Sequence, residues 1–315
     1  MSNRIKLLLL LVLSAVCIGL FLGYNLPNRW QYALNYRLIT LAAIVLTAVA
    51  IAVSSMIFQT LVNNRILTPS ILGLDSLYIL IQLTIIFSFG SLTLLQLDPQ
   101  LDFLLSGGIM TLFSLSFYYF LFKRERENLF FLLLVGIIFG TFFQSASTFM
   151  EVLIDPNEFQ IVQDASFASF NKVNRDILWL AAALLLAVLA YAARYLYQLD
   201  VLALGRDQAI NLGLDYRALS KRLLIIVAVL TSIATALVGP ITFLGLLVMN
   251  LAFEFMKSHH YRVLIPAAVL IAIVTLVGGQ FIVSQLLNFN ATLSVIINFI
   301  GGIYFIYLLL RRSQA

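Results

Sequence analysis

The chain has 315 residues, 62% of them hydrophobic and 10% charged, with a formal net charge of +5. Soluble domains carry roughly 25% charged residues, and a mean hydropathy of +1.02 means more apolar surface than a water-soluble core buries. These values exclude a soluble globular protein; the single cysteine, Cys17, excludes internal disulfides and a cysteine-based metal cluster.

No basic run stands free of an apolar segment, so the positive charge reads as membrane topology and not as nucleic-acid binding. Apolar runs of bilayer-crossing length, about 20 residues, recur throughout. Arg4 and Lys6 ahead of 7–22 have the pattern of a signal peptide, but no A-x-A cleavage site follows. Ser14-Ala15-Val16-Cys17 also lacks the leucine and the small residue of a lipoprotein processing site. The segment reads as a retained first helix ending near Tyr24.

Further spans are expected at about 37–58, 72–90, 101–122, 129–151, 177–198, 219–238, 244–257, 263–284 and 292–310. The sequence thus predicts an all-α membrane protein of about ten transmembrane helices in a single domain, 1–315. The span at 244–257 is short, and the one at 72–90 carries Asp75 and Gln82. With ten spans both termini share one side. That side holds fifteen of the 19 Lys and Arg residues, and only Arg29, Arg37, Lys172 and Arg175 fall on the other. This bias places both termini in the cytoplasm of a multi-pass protein of the cytoplasmic (inner) membrane.

Thr68-Pro69-Ser70-Ile71-Leu72-Gly73-Leu74 follows the second span, and Gly239-Pro240-Ile241-Thr242-Phe243-Leu244-Gly245-Leu246 follows the seventh. Each is a proline and glycine break between apolar runs, on opposite sides of the membrane. An inverted repeat of spans 2–5 and 7–10 produces this pattern. Pro and Gly also simply end helices, and two short matches leave both readings open.

Catalytic chemistry is scarcely represented. His259 and His260 are adjacent with no second ligand cluster, and no G-x-x-x-x-G-K-[ST] phosphate loop is present. The chain therefore reads as no enzyme, with no metal and no cofactor of its own. Ion-coupled transporters place ionisable groups inside the membrane. Here Asp75 and Glu254 come nearest, and both fall close to the expected cytoplasmic boundary. A transporter with neither feature borrows its energy from another protein.

In the fifth span, Gly136, Gly140, Gln144, Ser147 or Thr148, and Glu151 recur at helical spacing. A small, polar face of this kind either packs tightly against another helix or lines a water-filled translocation pathway. The polar segment Asp155–Asp176 that follows lies outside, as an ordered cap over the pathway or as a solvated loop. On the inner side, 203–215 is a charged island. Arg206–Leu212 forms a short helix bracketed by Gly205 and by Gly213 in a C-terminal capping position. Ile210 and Leu214, with Leu204 behind, would face the membrane domain; Arg206, Asp207, Gln208 and Asn211 would point outward. A docked element and a mere joining loop both fit.

LGRDQAINLGLDYRAL, followed by a span and GPITFLGLLVMNLAFE, resembles the signature region of FecCD-type iron–siderophore permeases of ABC importers. FQTLVNNRILTPSILGLDS and LLLVGIIFG are similar to that family's segment after the second span and its glycine-bearing fifth span. The FNKVN stretch resembles a subgroup whose members often act beside a second, paralogous permease.

The resemblance implies the type II ABC importer permease fold of the vitamin B12 importer. It implies two permeases flanking a pathway, a paralogous heterodimer being favoured over a homodimer. Two cytoplasmic ATPase subunits would carry ATP and Mg, and a periplasmic or lipid-anchored siderophore-binding protein would deliver a ferric chelate. Gly205, Arg206, Asp207, Gln208, Asn211 and Gly213 would couple to an ATPase. Gly136, Gly140, Gln144, Ser147 and Thr148 would line the pathway. Arg29, Arg37, Lys172 and Arg175 would dock the binding protein.

The chain departs from the family pattern in two places. Many members have Pro-His and then Arg where this chain has Met249-Asn250 and Phe253-Glu254. The family's Arg-Leu-Pro-Arg run is here Arg37-Leu38-Ile39-Thr40. Haem or cobalamin import by the same architecture, an ion-coupled secondary transporter and a non-transporting scaffold are the alternatives. An adjacent ATPase gene and a binding-protein gene would favour the importer.

Overall fold

The structure is a computed structural model that describes residues 2–25, 29–90, 98–123, 129–155, 163, 167–171, 173, 175–288 and 291–313. Among these residues every regular element is a helix. The main helices are α1 (Asn3–Gly23), α2 (Trp30–Val62), α3 (Leu74–Phe89), α4 (Pro99–Lys123) and α5 (Leu129–Leu153), then α6 (Arg175–Ala192) and α7 (Leu196–Leu202). The remainder are α8 (Arg206–Asn211), α9 (Tyr216–Val238), α10 (Leu244–Met256), α11 (Tyr261–Gln285) and α12 (Leu293–Ser313). Seven described helices are long and apolar enough to cross a membrane, and three shorter apolar ones join them: Leu74–Phe89, Leu244–Met256 and Leu293–Tyr307. Together they occupy the ten expected spans.

The lengths carry the architecture. α2 has 33 residues and is about 50 Å long at 1.5 Å per residue, well beyond the roughly 30 Å hydrocarbon layer. α3 and α10 have only 16 and 13 residues. Both are short because the chain re-enters the bundle as non-helical backbone before each helix begins. The first break is the 3-10 turn Pro69–Leu72 with Gly73; the second is the stretch 239–243. Non-helical backbone is tolerated at membrane depth only where protein surrounds it. Accordingly, Pro69, Leu72, Gly73, Gly239, Pro240 and Ile241 are all buried.

α2 and α9 pack side by side and are the most enclosed spans, with 67% and 72% of their apolar windows buried against 17% for α1. α9 then packs on α4, α2 on α11, α3 on α5 and α10 on α12. Helices of each half thus pack against the central helix of the other.

The first break is seated on α5 by backbone-to-backbone contact. Gly73 has φ +79°, and a Cβ there would lie 2.7 Å from the Cα of Gly140. Any side chain at Gly73 is therefore strained by its backbone and blocked by α5. Gly73→Ala is expected to destabilise by about 1–3 kcal/mol, the usual range for overpacking. Gly278→Ala, where a Cβ meets nothing within 4 Å, should leave the unfolding midpoint unchanged or raise it. Thermal unfolding of the purified protein in detergent checks the pair.

Candidate functional site

Where α5 passes the first break, a groove of about 360 Å³ opens. Ser70, Gly73 and Ser76 form one wall, and Gly140, Thr141, Gln144 and Ser145 of α5 the other. Thr141 returns its hydroxyl to the Ile137 carbonyl at 2.9 Å, and Gln144 is exposed. The expected polar face divides. Gly140 and Gln144 line the groove, and Thr148 is exposed further along. Gly136 is buried against Leu72, where a Cβ would lie 3.1 Å from the Leu72 Cα. Ser147 is fully buried, and its hydroxyl has no hydrogen-bond partner among the described residues. Gly136 and Ser147 thus belong to packing. Ser70 and Ser76 escaped the sequence reading, because only the fold brings the break against α5.

Behind the groove the two breaks meet. The Asp75 carboxylate, in the first turn of α3, accepts from Thr242 Oγ1 of the second break at 3.3 Å and from Thr235 Oγ1 near the end of α9 at 3.5 Å. Ser54, Ser55, Ser70 and Thr231 complete a polar cavity of about 20 Å³. α3 and α10 both begin here, and helix N-termini favour negative charge. Asp75 therefore lies inside the bundle, against the expectation of a boundary position. Hydropathy marks where an apolar run starts, not how deep the chain already is. Gln82 is buried and donates to Asp102 Oδ1 at 3.0 Å and to Ser106 Oγ at 3.1 Å.

The charged island follows α7 as a turn and α8, and leads directly into α9. Gly213, at φ +85°, closes α8: its N–H donates to the Ile210 carbonyl at 2.9 Å and the Leu214 N–H to the Ala209 carbonyl at 3.0 Å, the pattern of a Schellman cap. Asp215 then caps α9 by accepting from the Ala218 N–H at 3.0 Å. The apolar face is not the expected one. Ala209 is the buried anchor and Leu214 is half-buried, whereas Leu204, Ile210 and Leu212 are 57%, 46% and 63% exposed. A six-residue helix has one inward position for each turn, and the small Ala209 takes it. Arg206, Asp207, Gln208 and Asn211 are exposed as expected, with the Arg206 guanidinium 5.5 Å from the Tyr216 ring centroid.

The four cations assigned to the opposite side separate as well. Arg29 and Arg175 are exposed. Arg37 is half-buried and donates to the carbonyls of Phe21, Leu22 and Tyr24 at 3.0, 3.1 and 2.7 Å. Its guanidinium caps the C-terminus of α1, so it is no free docking cation. Lys172 lies outside the described residues. The described part of the 155–176 segment is packed down: Ala168 and Phe170 are buried, the Ser169 N–H donates to the Val238 carbonyl at 2.7 Å, and Gln280 donates to Asn171 Oδ1 at 3.0 Å. Glycine at 239 permits this approach, since a Cβ there would lie 2.9 Å from the Ala168 Cα.

The sequence profile of the FecCD transport family matches residues 7–311. The chain belongs to the FecCD transport family. It is 58% identical over 315 residues, all of both chains, to the petrobactin import system permease protein YclO of Bacillus subtilis. It is 35% identical over 276 residues to FatC of Bacillus anthracis, another petrobactin import permease, covering 88% of this chain and 78% of that one. FatD of the same organism, also a petrobactin import permease, is 27% identical over 282 residues, or 86% of this chain and 79% of FatD. A metal-chelate type ABC transporter solved in an inward-facing conformation superposes with TM-score 0.84 at 20% identity, covering 98% of this chain and 99% of that one. The fold is that of an ABC importer permease, and this FecCD-family chain is a multi-pass membrane protein.

The FecCD-family chain thus carries two kinds of arginine on one side. Arg37→Ala removes three charge-assisted bonds to the end of α1 and should lower stability by about 1.5–3 kcal/mol. Arg29→Ala should fall within about 0.5 kcal/mol of the parent. Denaturation of the two variants side by side checks this.

Proposed function

We propose that this chain is one of two transmembrane permeases in an ABC importer that carries a ferric siderophore of the petrobactin class. The observation that carries the reading is the 58% identity to a petrobactin import permease along the whole of both chains. FatC and FatD, two petrobactin permeases in one organism, support a paralogous second permease as the partner. In this reading two ATPase subunits on the cytoplasmic side hold ATP and Mg, this chain binds no cofactor, and a separate binding protein delivers the chelate. The charge bias supports cytoplasmic termini.

The groove on α5 then faces the substrate path, with Gly140, Gln144 and Thr148 on the wet side. α8 is the part that an ATPase moves. Its exposed Ile210 and Leu212 would each release about 1.5–3 kcal/mol on full burial in a cleft, while Arg206 and Asp207 set its register. The caps at Gly213 and Asp215 leave no slack between α8 and α9. α9, 23 residues and about 35 Å long, brings Thr235, three residues before its end at Val238, beside Asp75 and the first break. A push on α8 therefore arrives at the wall of the groove.

The test uses the complex of this chain with its second permease, ATPases and binding protein in proteoliposomes. Ferric petrobactin should stimulate ATP hydrolysis and haem should not; equal stimulation by haem would overturn the substrate. Ile210→Arg with Leu212→Asp should cut stimulated hydrolysis at least tenfold, which corresponds to losing ~1.4 kcal/mol of coupling contact, with insertion unchanged. Full coupling in that double variant would remove α8 from the drive.

A further inference from the structure

At the end of the bundle that carries α8, a second cavity of about 340 Å³ lies within this single chain. Gln59, Asn63, Asn64, Arg65 and His259 line it, and Ala203 closes it two residues before α8 begins its cap. The groove on α5 and the Asp75 junction use none of these residues.

Gln59 is the decisive group. It is 3% exposed, yet neither its Nε2 nor its Oε1 has a hydrogen-bond partner among the described residues. A buried carboxamide left unpaired is expensive, and Gln59 is among the residues that line the cavity. Its neighbours are otherwise satisfied: Thr60 donates to Met56, and a bond of 2.8 Å joins its hydroxyl to that of Tyr261. Asp200 of α7 accepts from the Tyr261 N–H at 2.8 Å and lies 3.7 Å from His260 Nδ1.

The cationic group is held in place. The Arg65 guanidinium lies 4.2 Å from the Phe253 ring centroid, and the Arg65 carbonyl accepts from Asn250 Nδ2 at 3.1 Å. Asn250 and Phe253 belong to Met249-Asn250 and Phe253-Glu254, the pairs at which the chain departs from the family pattern. The departures noted in the sequence therefore fix Arg65 at the cavity mouth. The turn that presents it is built too: Asn63 sits at φ 51° and the Asn64 N–H returns to the Gln59 carbonyl at 3.1 Å.

We propose that this cavity is an oxyanion site for a phosphate group, read by Arg65, His259 and the carboxamides of Gln59, Asn63 and Asn64. None of the described lining residues is acidic. A guanidinium fork with amide donors suits a phosphate, and the volume leaves room for the molecule that bears it. That molecule is either a soluble phosphorylated compound or an anionic lipid headgroup at the membrane edge. An occupant bridges the end of α2 and the turn ahead of α8, so it sets the freedom of the coupling segment. The site stands independently of which chelate is carried.

The intact complex, held in nanodiscs of phosphatidylcholine, is titrated with inorganic phosphate at constant ionic strength while thermal unfolding is followed. A parallel set of discs contains phosphatidylglycerol and no added phosphate. The complex should gain a saturable rise in midpoint in one arm. Arg65→Ala and Gln59→Leu should each weaken that response at least tenfold, the loss of a charge-assisted bond. Without phosphate, Gln59→Leu should unfold no earlier than the parent, since an apolar group replaces an unpaired one. A response in the phosphate arm assigns a soluble ligand, and one confined to phosphatidylglycerol assigns a headgroup. A response identical in parent and variants, or absent from both arms, overturns the site.

Discussion

Inside a bilayer every backbone N–H and C=O has to find a partner within the protein, and this chain breaks two of its helices there. That constraint organises the rest. α2 and α9 are enclosed because they wrap the breaks, and glycine at 73 lets the first break touch α5 backbone to backbone. Asp75 ties the breaks together. Its carboxylate accepts from Thr242 and Thr235 and stands between the N-termini of α3 and α10, where the helix dipoles stabilise negative charge that lipid would not.

Under the proposed function the same junction is the moving part. The groove takes one wall from the first break and the other from α5, so its width depends on how the break sits. α9 reaches that break from α8 as a single capped helix. Under the proposed function α9 is the mechanical link between α8 and the groove, one helix long. Residues 167–171 pack on the far end of α9 through Ser169 and Ala168, which ties that end of the bundle to the same helix.

Much of this was legible in the sequence because lipid allows few solutions. Apolar run length marked the ten apolar helices and their order. The proline and glycine breaks marked both re-entrant turns, and Gly213 marked the end of α8. What failed were properties of depth and facing. Asp75 sits inside because the chain has already re-entered before α3 begins, a displacement that hydropathy does not register. Arg37 looked like a surface cation, but the carbonyls it caps belong to α1. Ser147 shares the polar stripe of Gln144 yet lies one residue off its axis, enough to bury it. At α8 the sequence offered Ile210 and Leu204 as anchors; a small residue, Ala209, fits the close contact instead. Gln59 and Arg65 gave no signal, since their cavity closes only when α2, α10 and the 258–261 turn come together.

The central claim is that the polar face of α5 beside the first break is wet and the neighbouring face is dry. Single cysteines at Gln144 and at Ser147, in a Cys17→Ser background, can be probed with a membrane-impermeant thiol reagent in the assembled complex, with and without ATP. The account predicts modification of the Gln144 cysteine in at least one state and protection of the Ser147 cysteine in both. Protection at Gln144 in every state, or equal reaction at the two positions, would contradict it.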